Sequence, residues 1–387
     1  MKLLRNFLFI IIFCCTSLIS FSQTDACHLR ISLLTCGPGE ELYSTFGHTG
    51  LRVIDSAQKI DAVFNYGMFD DSDPYFYLKF ARGIMRYSVA AENFGDFMEE
   101  YVAEKRSVTE QELQLSCAEK INLFNSLKEN LSPQNRDYDY HFYKDNCTTR
   151  AKEVIKKNSG EQIVFKNILP AKTPTFRNLI HEYLANGNHS WDKLGIDIVL
   201  GSHLDEKATN EQAMFLPEYL LKGFDNATLH NHQLVTNKKI ILAEGNKNAG
   251  SFSWFTPFFL FSLLSIIFIA LTFSSSSSAK KILNVLDVLF FSLVGLIGIC
   301  ITFEWLGRVD EVCRNNMNIL WAWPTHIVMA FFTKKKSRLA VDYFRASSIF
   351  SLILLGGWFW WPQEFNNAFA PLLIIIIVRG FFISTKK

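Results

Sequence analysis

A cysteine and a histidine that lie far apart in the chain have the residue types and settings of a thiol catalytic pair. Cys147 lies in the segment 145–150 at the predicted start of a helix, and His48 lies in the segment 46–53 at the predicted start of a strand. A cysteine is nucleophilic as its thiolate, and a helix N-terminus and a nearby imidazole both lower the thiol pKa. We therefore expect the two residues to meet in space, with Cys147 as nucleophile and His48 as general base.

A third polar residue would orient the imidazole, and the next predicted strand offers two candidates. Asn65 is the first choice and Asp61 is the substitute, because a neighbouring strand is where such a residue should lie. Geometry and role, rather than chain order, identify a catalytic constellation of this kind. Taken singly, His48 could be a strand-edge histidine bonded to a carbonyl and Cys147 a small buried residue at a helix cap. Their placement in two motif-like segments favours the catalytic interpretation.

Three other polar residues have weaker settings. His141 precedes Cys147 by a short extended lead-in, which should point its ring elsewhere. His203 and Asp205 lie in a predicted loop, where they either line a cleft or face solvent.

Between about residues 24 and 250 the chain mixes strand and helix patterns, which predicts an α+β domain. Predicted strands cover 29–34, 48–54, 62–66, 85–90 and 106–114. Predicted helices cover 75–82, 94–105, 117–130, 148–157, 175–185 and 210–223. A glycine-rich stretch covers 194–201, and a hairpin is expected at 232–242. Because the histidine strand precedes the cysteine helix, the expected fold is papain-like in a circularly permuted order.

The chain is also predicted to be exported and anchored in a membrane. A basic start, a short apolar run and small polar residues predict a signal peptide over 1–22. A periplasmic domain is expected over 23–250, followed by an all-α membrane domain over 251–387. Five candidate spans, near the ~20 residues that a bilayer requires, cover 252–273, 282–303, 319–332, 346–361 and 368–383.

Two features refine the expected membrane topology. The third span is short and contains Pro324 and His326, so a re-entrant or tilted helix is an alternative there. Lysines and arginines gather in the loops that this topology places inside, such as Lys280, Lys281 and Lys335. This distribution predicts a multi-pass protein of the inner membrane with its N-terminal domain in the periplasm.

Charge and cysteine usage exclude several classes of function. A formal net charge of +2 and the lack of a basic aromatic stripe argue against a nucleic-acid partner. The exported domain keeps Cys27, Cys36, Cys117 and Cys147, which can form two disulfides, or one disulfide beside a free thiol. The sequence has no Cys-x-x-Cys pair, serine nucleophile elbow or nucleotide-binding loop, so we expect neither a metal nor a cofactor.

Several short motifs, in order, resemble the Lnb N-terminal periplasmic domain family. They cover 33–39, 43–48, 64–67, 80–83, 145–150, 194–209 and 215–217. The segment 315–320 resembles the transmembrane region often fused to this domain in Bacteroidota-type proteins. More distantly, the order of His48 before Cys147 is similar to permuted NlpC/P60-like and lecithin:retinol acyltransferase-like enzymes. That similarity implies an acyl-thioester intermediate and hydrolysis or transfer at an amide or ester. Expected substrate contacts within these motifs are Tyr43, Ser44, Asn146 and Arg150.

Together these features predict a membrane-tethered periplasmic thiol hydrolase or acyltransferase that acts on a cell-envelope peptide or lipid. Backbone N–H groups at the start of the Cys147 helix would hold the oxyanion. The alternative is a non-catalytic envelope ligand-binding or sensory module. A disulfide from Cys147 to Cys36 or Cys117 would favour that alternative. The sequence leaves open the substrate, the oligomeric state and the reason for several spans where one would anchor the domain.

Overall fold

A computed structural model describes residues 27–70, 72–186, 189–245, 254–335 and 337–385, and the predicted signal peptide lies outside these residues. The strands are β1 (Leu29–Cys36), β2 (His48–Asp55), β3 (Ile60–Met68), β4 (Arg86–Asn93), β5 (Val108–Leu113), β6 (Asp137–Asp139), β7 (Thr228–Leu229), β8 (His232–Gln233) and β9 (Val235–Leu242). Seven of them form one sheet in the order β6-β4-β3-β2-β1-β5-β9, and all its neighbouring pairs are antiparallel. The central strand is therefore β2, which begins at His48.

The helices of the N-terminal domain are short, and only some of them lie on the sheet. They are α1 (Phe76–Ala81), α2 (Phe94–Ala103), α3 (Cys117–Asn130), α4 (Cys147–Asn158), α5 (Phe176–Asn186), α6 (Ser190–Val199), α7 (Asn210–Ala213) and α8 (Pro217–Asp225), with 3-10 turns at Leu42–Ser44 and Ser202–Asp205. Side chains of α3 and α4 cover one face of the sheet, where Leu51 and Phe64 are buried with Leu123 and Ile155. Side chains of α2 cover part of the other face around Val63. Alternate residues of β2 and β3 thus pack on opposite helical layers.

Two local predictions were wrong for identifiable reasons, and one stretch without a predicted structure is helical. The predicted helix over 210–223 is interrupted because Leu216 is extended ahead of Pro217, which starts a new helix at α8. The glycine-rich stretch 194–201 is mostly helical, and Gly195 lies in open space within α6. The 232–242 hairpin does not form: β8 pairs with β7, whereas β9 pairs with β5 at the sheet edge.

The C-terminal region is helical. Its helices are α9 (Pro257–Phe273), α10 (Ser277–Gly307), α11 (His326–Met329), α12 (Arg338–Gly356) and α13 (Phe369–Thr385), with 3-10 turns at Met317–Leu320 and Ala330–Phe332. By length and composition, two helices in the described part of the chain, α10 and α12, could cross a membrane, and α9 and α13 are apolar but shorter. Four of the five predicted spans fall on α9, α10, α12 and α13, and the third falls on α11 with its two flanking 3-10 turns.

The third predicted span is broken rather than continuous. Two glycines of α10 allow the irregular backbone of this third segment to approach α10 closely. A Cβ at Gly295 would lie 2.2 Å from the nitrogen of Ile327, and one at Gly298 would lie 2.1 Å from the carbonyl oxygen of Ala322. Non-helical backbone at membrane depth is tolerated where protein surrounds it. The broken geometry agrees with the re-entrant or tilted alternative rather than with a helix over 319–332.

Candidate active site

His48 is held at the start of the central strand by a close backbone approach. It pairs with Cys36 at the end of β1. Gly47 precedes it with φ +78°, and a Cβ there would lie 2.4 Å from the carbonyl oxygen of Cys36. A positive φ and so short a distance require glycine. The backbone of His48 is consequently fixed relative to β1.

Cys147 is the first residue of α4, and Asn146 caps that helix. The Oδ1 of Asn146 accepts hydrogen bonds from the N–H groups of Thr148 at 3.0 Å and Thr149 at 2.8 Å. The hydroxyl of Thr148 lies 3.0 Å from that of Thr49 in β2, which joins the first turn of the helix to the central strand. Because Thr49 follows the histidine in sequence, this contact brings the sulfur to the imidazole.

The two side chains lie close enough for each to shift the pKa of the other. Burial raises the pKa of Cys147, but the charge and hydrogen bond of His48, the backbone N–H of Thr49 and the hydroxyl of Thr148 outweigh it, so the pKa lies below its ordinary value. Burial lowers the pKa of His48, but the charge and hydrogen bond of Cys147 and a hydrogen bond to Asn65 raise it above its ordinary value. These opposite shifts favour a thiolate beside an imidazolium. Both side chains remain partly exposed.

Asn65 orients the ring of His48, and its own orientation is set by a glutamate. The Nδ2 of Asn65 donates to Glu92 of β4 at 2.6 Å, so Oδ1 faces the ring, 3.1 Å from the Nε2 of His48. Because an amide oxygen can only accept, Nε2 carries a proton and Nδ1 is left for Cys147. The sequence analysis did not single out Glu92. The available signal was weak, since Glu92 lies two residues beyond the predicted strand 85–90, whose pairing with β3 was unknown.

Asp61, the substitute for Asn65, is engaged elsewhere. It forms a two-point ion pair with Arg52 at 2.7 and 2.8 Å, four residues from Asn65 along β3. Four residues of strand span roughly 13 Å, which places Asp61 well away from His48.

The four expected substrate contacts divide into three with structural roles and one at the surface. The Nδ2 of Asn146 donates to two backbone carbonyls, so its amide is fully used. Ser44 is buried and donates to the carbonyl of Glu41. Arg150 forms a two-point ion pair with Asp145 and lies 3.6 Å above the ring of Tyr138. Tyr43 alone of the four is exposed.

The remaining polar candidates also lie outside the site. The Nε2 of His141 is 3.2 Å from the carbonyl oxygen of Asp310, whereas His203 faces Glu206. Asp205 accepts two hydrogen bonds from the buried Arg177.

The candidate nucleophile, Cys147, is not part of a disulfide. Cys27 and Cys117 form a disulfide that ties the segment before β1 to the start of α3. Cys36 and Cys147 are free thiols. Burial raises the pKa of Cys36 to about 12, against smaller contributions from its hydrogen bond to Tyr101 and the charge of Arg106, so that thiol is inert at neutral pH. Of these two thiols, only Cys147 has the electrostatics of a nucleophile.

An exposed apolar surface leads away from Cys147. Gly67, with φ +89°, places its backbone against Cys147: a Cβ built there would lie 3.5 Å from the Cβ of the cysteine. Two residues later the chain reaches Phe69, whose ring stacks on Phe76 at 5.6 Å and meets Tyr43 edge-on at 6.5 Å. We call the exposed members of this surface the aromatic patch: Phe69, Tyr75, Tyr77, Leu78 and Phe80. The sequence predicted only a helix over 75–82, and it gave no sign that none of the residues of α1 is buried.

Within the described ranges, no group of three or more histidine, cysteine or acidic side chains could hold a metal ion. Residues 19–182 match the family described as the Lnb N-terminal periplasmic domain, and residues 248–387 match the Lnb transmembrane domain. Neither a curated protein nor a solved structure matches the chain.

Proposed function

The chain belongs to the Lnb family, as a membrane protein with a periplasmic N-terminal domain and a transmembrane domain, and from that premise we propose that it is a thiol acyl hydrolase or acyltransferase. The observation that carries the proposal is the contact between Cys147 and His48, with Asn65 behind the ring. A cysteine helix packed on an antiparallel sheet, with the histidine strand earlier in the chain, supports a permuted papain-like arrangement.

The proposed reaction has two acyl-transfer steps. The thiolate of Cys147 attacks the carbonyl carbon of an amide or ester, and the leaving amine or alcohol takes its proton from the imidazolium of His48. The product of this step is an acyl thioester on Cys147. In the second step His48 takes the proton of an incoming water, amine or alcohol, which displaces the thiolate and carries the acyl group away.

The oxyanion would be held at the first turn of α4. The N–H groups of Thr148 and Thr149 already donate to Asn146. The N–H of Cys147 has no acceptor among the residues that the structure describes. A free N–H beside the sulfur, at the positive end of a helix, is suited to the developing oxyanion.

The aromatic patch favours a lipid over a cell-wall peptide as the acyl donor. Arg308, just beyond the end of α10, donates to the carbonyls of Phe80 and Ala81 in α1. Leu306 in the last turn of α10 is 79% exposed, as expected where a helix leaves the bilayer. The patch, with Tyr77 at 82% exposed, would therefore lie at the membrane surface and lead toward Cys147.

We place the protein in the inner membrane, where the positively charged loops would face the cytoplasm. The patch would then face the outer leaflet of that membrane. An acyl chain could pass from the leaflet along the patch while its carbonyl reaches the sulfur.

The test is to trap the thioester. The full chain in detergent is incubated with vesicles of phosphatidylethanolamine and phosphatidylglycerol that carry alkyne-tagged acyl chains. We expect a label on Cys147 that neutral hydroxylamine removes, and no label in Cys147→Ser. Cys36→Ser is the matched control and should keep the label. An intact wild-type protein without label on Cys147 would contradict a lipid donor, and failure with acyl peptides as well would contradict the enzyme.

The non-catalytic binding module has no specific support. A disulfide to Cys147 would have favoured it, but the thiol of Cys147 is free.

A further inference from the structure

The loop after α10 forms hydrogen bonds to the helix of the aromatic patch and to the turn before Cys147. We call residues 308–314 the outer loop. It contacts α1, the turn that precedes Cys147, and the segment that follows α6. We propose that the membrane domain is a positioning part of the active site, with the outer loop setting the distance between the aromatic patch and Cys147. This inference rests on the proposed function.

The first contact holds the C-terminal end of α1. Arg308 Nη1 lies 3.1 Å from the carbonyl oxygen of Phe80 and 3.3 Å from that of Ala81, and the N–H of Val309 donates to the carbonyl of Arg82 at 3.1 Å. The last carbonyls of a helix lack partners within the helix, and a guanidinium at that end is favourable. A six-residue helix with no buried residue depends on such outside bonds for its position.

The loop also lies against the turn that follows α1. Gly83 has φ +68°, and a Cβ there would lie 2.8 Å from the Cγ of Asp310. The carboxylate of Asp310 accepts two hydrogen bonds from Arg308, at 2.8 and 2.5 Å. The loop therefore has a defined shape and leaves room only for glycine opposite Asp310.

The second contact reaches the turn that precedes the nucleophile. His141 Nε2 lies 3.2 Å from the carbonyl oxygen of Asp310, and because a carbonyl can only accept, this nitrogen carries the proton. The other ring nitrogen accepts from the N–H of Lys144, which is the same tautomer. The backbone of His141 pairs with Asp145 through two hydrogen bonds of 2.9 Å, two residues before Cys147. Asp310 thus lies against the turn that follows α1 and bonds to the turn that precedes Cys147.

Further bonds fix the periplasmic domain on the membrane domain. The N–H of Gly201 donates to the carbonyl of Val312 at 2.9 Å. Asn316 and Asn318 donate from their side-chain amides to the carbonyls of Ile198 and Asp197, each at 2.7 Å. These bonds come from segments that follow α10, and a single anchoring helix would not supply them. The additional membrane helices therefore serve to fix the position of the periplasmic domain.

The test separates the position of the patch from the chemistry of the thiol. Arg308→Gln in the full chain should lower the rate of acyl transfer from the tagged vesicles to Cys147 by about 10- to 100-fold, the usual cost of a misplacement near 1 Å. The pH midpoint of iodoacetamide labelling of Cys147 should not change, because His48 and Asn65 are untouched. Arg338→Gln is the matched control: that arginine is 97% exposed at the other end of the membrane domain and should behave as wild type.

Two outcomes are decisive for different claims. Wild-type acylation in a folded Arg308→Gln protein would overturn the inference, whereas a wild type that never acylates Cys147 would overturn the proposed function itself. If Arg308→Gln fails to fold, the pair Arg82→Cys with Val309→Cys gives a second test. We expect the oxidised pair to crosslink within the chain and to retain acylation of Cys147, because the crosslink replaces the contact between Arg82 and Val309. Failure to crosslink, or loss of acylation in the crosslinked protein, would contradict the inference.

Discussion

At Cys147 two opposing effects decide whether the sulfur is reactive. Burial alone would keep the thiol protonated, and the imidazole of His48 together with hydrogen bonds from Thr49 and Thr148 reverses that preference. The first turn of α4 adds roughly half a positive charge nearby. The reactivity therefore belongs to the assembled site rather than to the cysteine, and it disappears when the imidazole is removed.

Glu92 should act through Asn65 rather than on the substrate. Its carboxylate accepts from Nδ2 of Asn65 at 2.6 Å and so prevents the amide from turning its Nδ2 toward His48. Glu92→Gln keeps an acceptor and should acylate Cys147 close to the wild-type rate. Glu92→Ala should lower that rate by up to about tenfold, as for the loss of roughly 1.4 kcal/mol of orientation.

The readout that separates positioning from folding is the pH midpoint of Cys147 alkylation. In Glu92→Ala we expect it to rise with the thermal unfolding midpoint unchanged. Equal rates for the Gln and Ala variants would show that Glu92 plays no part.

At the scale of elements, the start of β2 is the most constrained point of the site. Gly47→Ala would place a methyl group 2.4 Å from the backbone carbonyl of Cys36 at a positive φ. We expect it to cost about 1–3 kcal/mol, seen as a lower thermal unfolding midpoint together with slower labelling of Cys147. Gly95→Ala in α2, where a Cβ meets nothing within 4 Å, is the control and should be neutral or slightly stabilising. A stable Gly47→Ala protein with normal labelling would contradict this account.

Elements with clear local patterns could be predicted from sequence, and those decided by distant contacts could not. Strand-like patterns predicted β1 to β5, and helical spacing predicted α3 at its observed bounds Cys117–Asn130. β9 was assigned to a local hairpin because its partner β5 lies far away in the chain. The contact of Glu92 with Asn65 depends on strand register, which no local pattern gives. The aromatic patch was missed because exposure is a property of the fold.

At the scale of the whole molecule, a buried polar cluster joins the periplasmic domain to the membrane domain. Asp197 is buried and accepts from Arg177 at 2.9 Å, from His181 at 2.8 Å and from Asn366 at 2.9 Å. Asn366 lies just before α13, so the cluster spans both domains. Buried charges are stable only when paired, and removing one partner is costly.

Asp197→Ala should therefore loosen the docking of the two domains. We expect a loss of up to ~3–5 kcal/mol, reduced by the second partner of Arg177, Asp205, and measured as a lower unfolding midpoint and faster trypsin cleavage between the domains. Asp192→Ala, which removes an exposed carboxylate bonded within the same region to His189, should change neither. Equal behaviour of the two variants would mean that the cluster does not hold the domains together.

The pH dependence of Cys147 alkylation tests the central claim most directly. The pKa of Cys147 is lowered and that of His48 is raised, so the thiolate–imidazolium pair exists between the two values. In the wild type the rate should rise with pH through a midpoint below the ~8.5 of a free cysteine. In His48→Ala, where burial is no longer opposed by the imidazole, the midpoint should move above that value. A wild-type midpoint at or above 8.5 that His48→Ala leaves unchanged would contradict the account.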